Sequence, residues 1–294
     1  MSVNKSNILF IINPISGGKK KSSLPALIDQ YLDKEKFAPI YAFTEYIGHA
    51  AELAEEAEKK NYDIIVAVGG DGTINEVASK LVHSSKVLAI IPFGSGNGLA
   101  RHLQIPLNTE KALLLLNKPT IKKIDVGLIN SQAFFCTAGL GFDAHIGEVF
   151  AGMKGRGLFG YIKSVVKEYF SYISEEYEVE INGRKKRHRA FIVTAANAGQ
   201  YGNNVYIAPQ ANISDGLLDL CIVKPFSVFR LPSMALRVFR RSIHKSRFTT
   251  TIQAKKITIK RKNKGAYHID GEPFEGDKLF TIEINENALS VLVI

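Results

Sequence analysis

No stretch of this 294-residue sequence is long and apolar enough to cross a bilayer, for which a helix needs about 20 such residues. The opening, Met1-Ser-Val-Asn-Lys, runs straight into a short apolar run at residues 8–12, too brief for a signal segment with its cleavage site. Together these absences predict a cytoplasmic protein. Cysteine is scarce: only Cys136 and Cys221 occur, each inside an apolar run and without a second ligand at metal spacing. They read as buried free thiols, and neither a disulfide framework nor redox chemistry is indicated. Acidic residues are also short, 28 against 38 lysines and arginines, so the net charge of +10 favours anionic partners: nucleotides, nucleic acid or an anionic membrane face. There is no low-complexity tract and no internal repeat, and a hydrophobic content of 46% is that of an ordinary globular protein.

Three glycine-rich turns follow apolar runs: Asn13-Pro14-Ile15-Ser16-Gly17-Gly18, Gly69-Gly70-Asp71-Gly72-Thr73-Ile74-Asn75-Glu76, and Pro92-Phe93-Gly94-Ser95-Gly96-Asn97-Gly98. Glycines at strand ends let backbone N–H groups approach an anion closely, and a helix starting directly afterwards adds partial positive charge. Repeated three times, the pattern reads as a nucleotide phosphate site. Lys19-Lys20-Lys21-Ser22 after Gly17-Gly18 does not meet P-loop spacing. Gly139-Leu140-Gly141-Phe142-Asp143-Ala144 fits a loose dinucleotide fingerprint, and its glycines read as a tight turn near a domain junction.

Apolar runs at residues 8–12, 40–43, 64–68 and 87–91 alternate with helical spacing at 24–32, 49–60, 75–81 and 109–117. Continuous apolar strands alternating with helices predict a parallel sheet covered on both faces, with ligands gathered at the carboxyl ends of its strands. From about Ile124 the style changes. Tyr177, Val179 and Ile181 alternate with polar residues, as do Ile257 and Ile259, and a helical stretch at 158–173 interrupts the strands. Period-two alternation predicts antiparallel sheets. The expected organisation is an α/β nucleotide-binding domain over 1–123, a β-rich sandwich over 124–285 and a last strand, 286–294, that returns to the first domain or stays with the second. The active cleft is expected between the two domains.

Further acidic blocks occur at Asp215-Gly216-Leu217-Leu218-Asp219 and Asp270-Gly271-Glu272. Taken alone, each Asp-Gly step reads equally as a hairpin turn, and Asp71 as a helix cap. The glycine turns, Gly139 to Asp143 and these two blocks, in this order, resemble the diacylglycerol kinase family in the broad sense, which takes in soluble bacterial lipid kinases, sphingosine kinases and ceramide kinases.

The resemblance implies an N-terminal domain of the NAD kinase and phosphofructokinase type, a lipid kinase sandwich, and ATP-dependent transfer of the γ-phosphoryl group to a lipid hydroxyl. It implies ATP contacts from Asn13, Ser16, Gly17, Thr44, Gly69, Gly70, Asp71, Gly72, Thr73, Asn75, Ser95, Gly96 and Asn97. It implies a structural Mg²⁺ held by Asp215 with main-chain oxygens between Asn212 and Leu217, Asp219 anchoring the network. Glu272 would accept the hydroxyl proton with Asp270 orienting it, Asp71 being the competing base. Gly98 stands where many glycerolipid kinases carry an aspartate, which leaves diacylglycerol, another glycerolipid or a sphingoid base open as acceptor. A soluble-acceptor kinase like NAD kinase, and a non-catalytic module that binds anionic surfaces, are the rivals.

Residues 226–248 interleave Val228, Phe229, Leu231, Met234, Leu236, Val238 and Phe239 with Arg230, Arg237, Arg240, Arg241, Lys245 and Arg247. The segment reads either as a peripheral contact with the inner membrane surface, where the lipid substrate lies, or as a helix packed on the sandwich with a basic outer face. No nucleic acid is expected as partner, and the oligomeric state, a homodimer included, is left open.

Overall fold

In the computed structural model, which describes residues 5–18, 21–151 and 158–293, the continuous apolar runs become a parallel sheet. Lys19, Lys20 and Ile294 lie outside the described residues. The chain divides into two compact units, one of residues up to Val126 together with those from Glu286 onward, the other spanning Gly127–Asn285.

The first unit runs β1 (Ser6–Ile12), α1 (Leu24–Tyr31), β2 (Phe37–Phe43), α2 (His49–Glu58), β3 (Ile64–Gly69), α3 (Asp71–Lys80), β4 (Val87–Pro92), α4 (Gly98–His102) and α5 (Thr109–Leu116). Its strands pair in parallel in the order β2-β1-β3-β4. The three inner strands are buried on both faces. Ile8, Phe10 and Ile12 pack with Leu24 and Ile28 of α1 and Leu113 of α5, and α2 and α3 lie against β1 and β3. Pro39 is accommodated because β2 is an edge strand, where a missing N–H costs no ladder bond.

The second unit takes up β5 (Thr120–Ile129), which starts in the first unit, then β6 (Gln132–Phe134), β7 (Thr137–Gly141), α6 (Phe142–Ala151), α7 (Leu158–Ser171), β8 (Glu175–Ile181), β9 (Arg184–Ala190), β10 (Ile192–Ala196), β11 (Leu218–Val223), α8 (Leu231–Phe239), β12 (Thr249–Ala254), β13 (Lys256–Arg261), β14 (Gly265–Ile269), β15 (Glu272–Gly276) and β16 (Leu279–Val293). It is an antiparallel sandwich. One sheet has the order β12-β11-β10-β7-β14-β15, and β13 of the other lies between β8 and β16. Leu140, Val193, Leu220 and Ile222 of the first meet Tyr177, Val179, Ile257, Ile259 and Phe280 of the second. β11 is buried throughout, because its other face, with Cys221 and Val223, is covered by Met234 of α8 and Ile243. The far end of β16 re-enters the first unit, where Ser290 and Val291 pair in parallel with Val87 and Leu88 of β4.

Candidate functional site

Parallel pairing without offset brings the glycine turns of the first unit together. Ile12 stands beside Phe43 and Val68, and Gly69 beside Pro92. The N–H of Asn13 donates to the Val68 carbonyl at 3.0 Å, that of Phe93 to Gly69 at 2.7 Å and that of Thr44 to Ile12 at 2.9 Å. The turns at Asn13, Gly69 and Pro92, with Thr44, therefore line up along the carboxyl ends of β2, β1, β3 and β4. Within the first turn, Ser16 Oγ donates to the Asn13 carbonyl, and Gly17 has φ +66° in a single 3-10 turn. Asn13 Nδ2 donates to Thr73 Oγ1 at 3.0 Å, tying the first turn to the second.

Asp71 joins the second turn to the third. Its carboxylate accepts the N–H of Asn97 at 2.8 Å and of Gly98 at 2.7 Å, the two residues that start α4. Asp71 thus caps the next glycine turn's helix rather than its own, and the N–H groups of α3 keep no side-chain cap. Each carboxylate oxygen has a second lone-pair direction left for a cation or a water. A Cβ on Gly96 would stand 2.8 Å from Asp71 Oδ2, so that bridge needs glycine. Asn97, at φ +51°, closes the third turn through Gly94: Oδ1 accepts its N–H at 2.9 Å and Nδ2 donates to its carbonyl at 2.7 Å. Of the remaining predicted contacts, Gly70 precedes α3, Gly72 and Asn75 lie on it, and Ser95 lies in the third turn.

In the second unit, Asn212 and Asp215 open two consecutive turns: Asn212 Oδ1 accepts the Ser214 N–H, and Asp215 Oδ1 the Leu217 N–H at 3.1 Å. Asp219 sits buried at the start of β11. Burial pushes its carboxyl above the usual range, and the Asp215 charge adds to that rise. The donor set is all oxygen, two mutually repelling carboxylates with amide and main-chain carbonyls, and it fits a hard cation such as Mg²⁺, which would relieve the repulsion. Among the described residues no three His, Cys, Asp or Glu side chains converge as a metal group, so main-chain oxygens and water would complete the shell.

Asp270 and Gly271 form the two-residue turn between β14 and β15, with φ +47° and +85°, the double positive φ that Asp-Gly hairpins favour. The Asp270 carboxylate accepts three backbone N–H groups, of Phe135 at 2.9 Å, Cys136 at 2.7 Å and Thr137 at 2.9 Å. The open end of the hairpin is held by buried Arg261, which donates to the carbonyls of Gly265, Ala266, Gly276 and Asp277. Glu272 begins β15 and is exposed. The two carboxylates of the tripeptide are thus divided, one fixing backbone and one presented at the surface.

On α8 the apolar residues face two ways. Met234 and Val238 pack toward β11, while Phe229, just ahead of the helix, is 90% exposed and Phe239 59%. Arg230, Arg237 and Arg247, with Ser233, Met234, Ser246 and Phe248, line a cavity of about 250 Å³. No aspartate or glutamate occurs between Asp219 and Asp270, a stretch holding 13 lysines and arginines.

A model of the diacylglycerol kinase catalytic domain matches residues 7–129, and one of the YegS C-terminal NAD kinase beta sandwich-like domain matches residues 136–293. The chain belongs to the diacylglycerol kinase family. Its relatives include a Bacillus subtilis protein named diacylglycerol kinase, 28% identical, with 89% of this chain and 88% of that one aligned. A Yersinia enterocolitica protein named "Probable lipid kinase YegS-like" is 31% identical over 83% of this chain and 81% of its own. The crystal structure of a diacylglycerol kinase from Bacillus anthracis str. Sterne has the same fold, with a TM-score of 0.78, 21% identity and coverage of 99% of this chain and 98% of that one. Membership makes this a kinase of a lipid kinase family and implies nucleotide use.

For a kinase of this family the sequence reading passes over Lys21, which is 3% exposed. Its Nζ donates to the Ser16 carbonyl and lies 4.8 Å above the Phe93 ring, bridging the first and third turns, and burial lowers its pKa. A lysine in a run of three reads as solvated, and only the fold reveals that this one turns inward. The second omission is a buried polar network. Asp143 Oδ2 accepts from Thr194 Oγ1 at 2.5 Å, Tyr201 Oη at 2.8 Å and His268 Nε2 at 3.0 Å. Its one visible sign, the run from Gly139 to Asp143, reads alone as a tight turn near a domain junction.

Proposed function

We propose that this chain is an ATP-dependent lipid kinase that transfers the γ-phosphoryl group to the hydroxyl of diacylglycerol, a related glycerolipid or a sphingoid base at a membrane surface. The observation that carries the reading is the Asp71 bridge, which locks two of three adjacent glycine turns into one N–H-rich rim at the carboxyl ends of a parallel sheet. Asn13, Ser16, Gly17, Thr44, Gly69, Gly70, Gly72, Thr73, Asn75, Ser95, Gly96 and Asn97 surround that rim and hold the triphosphate.

The lipid oxygen attacks Pγ, the bond from Pγ to the bridging oxygen of ADP breaks, and the hydroxyl proton passes to a carboxylate. Glu272, exposed at the start of β15, is the acceptor in this reading, while Asp71 and Asp270 hold backbone, Asp71 through two N–H groups and Asp270 through three. Asp215, with main-chain oxygens between Asn212 and Leu217 and Asp219 beside it, would hold a structural Mg²⁺, whose charge would offset the repulsion between the two carboxylates. The exposed phenylalanines and the excess of positive charge around α8 support a peripheral contact with anionic lipid.

The test is incubation of the chain with labelled ATP, Mg²⁺ and mixed micelles of diacylglycerol, sphingosine or ceramide, with NAD as a separate soluble acceptor. Label in the organic phase is the expected result. Label on NAD alone transfers the assignment to an NAD kinase-like enzyme, and nucleotide binding without transfer to any acceptor indicates a binding module.

A further inference from the structure

The polar network around Asp143 lies on one row of the second unit's sheet. In register, Thr194 of β10, Gly139 of β7, His268 of β14 and Pro273 of β15 stand side by side. Gly139 leaves the row open. A Cβ there would come within 2.6 Å of Thr194 Oγ1, 2.7 Å of His268 Nε2 and 2.8 Å of Asp143 Oδ2. Asp143, in the first turn of α6, drops its carboxylate into that opening and gathers three donors from three separate segments on a single oxygen.

Such a cluster is costly to bury. Thr194 is 0% exposed and His268 2%, and apolar side chains of equal volume would fill a sandwich at least as stably. The network's outlet gives it a use. His268 Nδ1 accepts the N–H of Gly271 at 3.4 Å, which places the imidazole proton on Nε2, facing Asp143. A continuous chain of hydrogen bonds thus runs from Thr194 and Tyr201 through Asp143 and His268 to the peptide N–H directly before Glu272. On the other side α6 packs against β14 and β15, and Gly147 faces the Gly271 carbonyl and Pro273.

We infer that Asp143 and His268, backed by Thr194 and Tyr201, are positioning residues for Glu272, fixing the Asp270-Gly271 turn so that the following carboxylate is held in one orientation. This rests on the assignment of Glu272 as proton acceptor. Asp270 and Arg261 pin the hairpin's two ends, and the imidazole sets the pitch of the turn between them. An apolar side chain at 268 fills the same space without accepting the Gly271 N–H.

The experiment uses the full chain with ATP and lipid in mixed micelles, alongside amide exchange at Gly271. Because displacement of about 1 Å at a reacting group costs on the order of 100-fold, His268→Leu and Asp143→Asn are expected to lower kcat about 10- to 100-fold, with each KM changed by less than about twofold. Gly271 exchange is expected to quicken about tenfold or more. His268→Gln, which keeps a donor and an acceptor, is expected to recover most of both losses. A folded His268→Leu protein with wild-type kcat overturns the inference, as does unchanged Gly271 exchange or a rise in KM that accounts for the whole loss. If these variants fail to fold, Tyr201→Phe, which removes one donor at a partly exposed ring, decides: slower turnover with faster Gly271 exchange supports the network, and no change in either overturns it. If the wild-type chain phosphorylates no lipid, the kinase reading falls separately, and Gly271 exchange still reports whether the network holds the turn.

Discussion

Asp270 and Glu272 stand two residues apart and are expected to respond to amidation in opposite ways. Asp270→Asn turns an amide toward three backbone N–H groups that need acceptors, so the chain should lose about 2 to 4 kcal/mol of stability in a urea titration. Glu272→Gln leaves those three bonds in place. It should leave the unfolding midpoint and the Kd for ATP unchanged while lowering kcat about 100- to 10,000-fold. Full turnover in the Glu272→Gln enzyme returns the base to Asp71. His102 gives a pH signature of its own. Burial, with a smaller contribution from the Lys122 charge, lowers its pKa to about 4. The unfolded chain therefore takes up a proton near pH 6.5 that the folded chain refuses, so stability is full above that pH and is lost as pH falls toward 4. His102→Gln should flatten this part of the profile by on the order of 1 to 3 kcal/mol, read from denaturation at pH 7 and pH 4.5.

At the level of elements, α8 offers the clearest test. With two exposed phenylalanines beside an arginine-lined cavity, Phe229→Ala with Phe239→Ala should weaken binding to phosphatidylglycerol vesicles about 100- to 10,000-fold, since each buried ring contributes about 1.5 to 3 kcal/mol. Arg230→Gln with Arg237→Gln should cost about 1 kcal/mol per charge at low salt and little at high salt, measured by cosedimentation. Which elements were legible follows from how local their causes are. The strands β1, β3 and β4 declare themselves because burial on both faces demands continuous apolar runs, and β8 because Tyr177 and Val179 point inward between exposed or half-buried neighbours. Helix α3 begins at Asp71, ahead of the expected 75–81, since its first turn is polar and faces the glycine rim rather than the core. The short α4 gives no apolar period at all. It exists because Asp71, 26 residues earlier, caps it. Asp270 is visible in the sequence as a carboxylate, but its three donors come from residues 133 to 135 positions away, and no spacing rule reaches that far.

For the molecule as a whole, a nucleotide that binds only the folded first unit must stabilise it. ATP at 100 times its Kd should raise the unfolding free energy by about 2.7 kcal/mol, seen as a calorimetric shift that Asp71→Asn diminishes. The two-unit architecture and the placement of the glycine turns were readable because parallel sheets put loops of one kind at one end. The segment around α8 was legible only as apolar residues interleaved with arginines, and which of them are exposed came from the fold.

The pairing of β16 with β4 has a further consequence during synthesis. The first unit's sheet is finished only by Ser290 and Val291, about 200 residues after β4 has left the ribosome, a delay on the order of 10 to 40 s at ordinary elongation rates. Throughout that interval Val87 and Leu88 present an unmated, apolar ladder to solvent. Until β16 arrives, that edge of β4 is open to any strand that can pair with it, and its proper partner is among the last parts of the given sequence to be made.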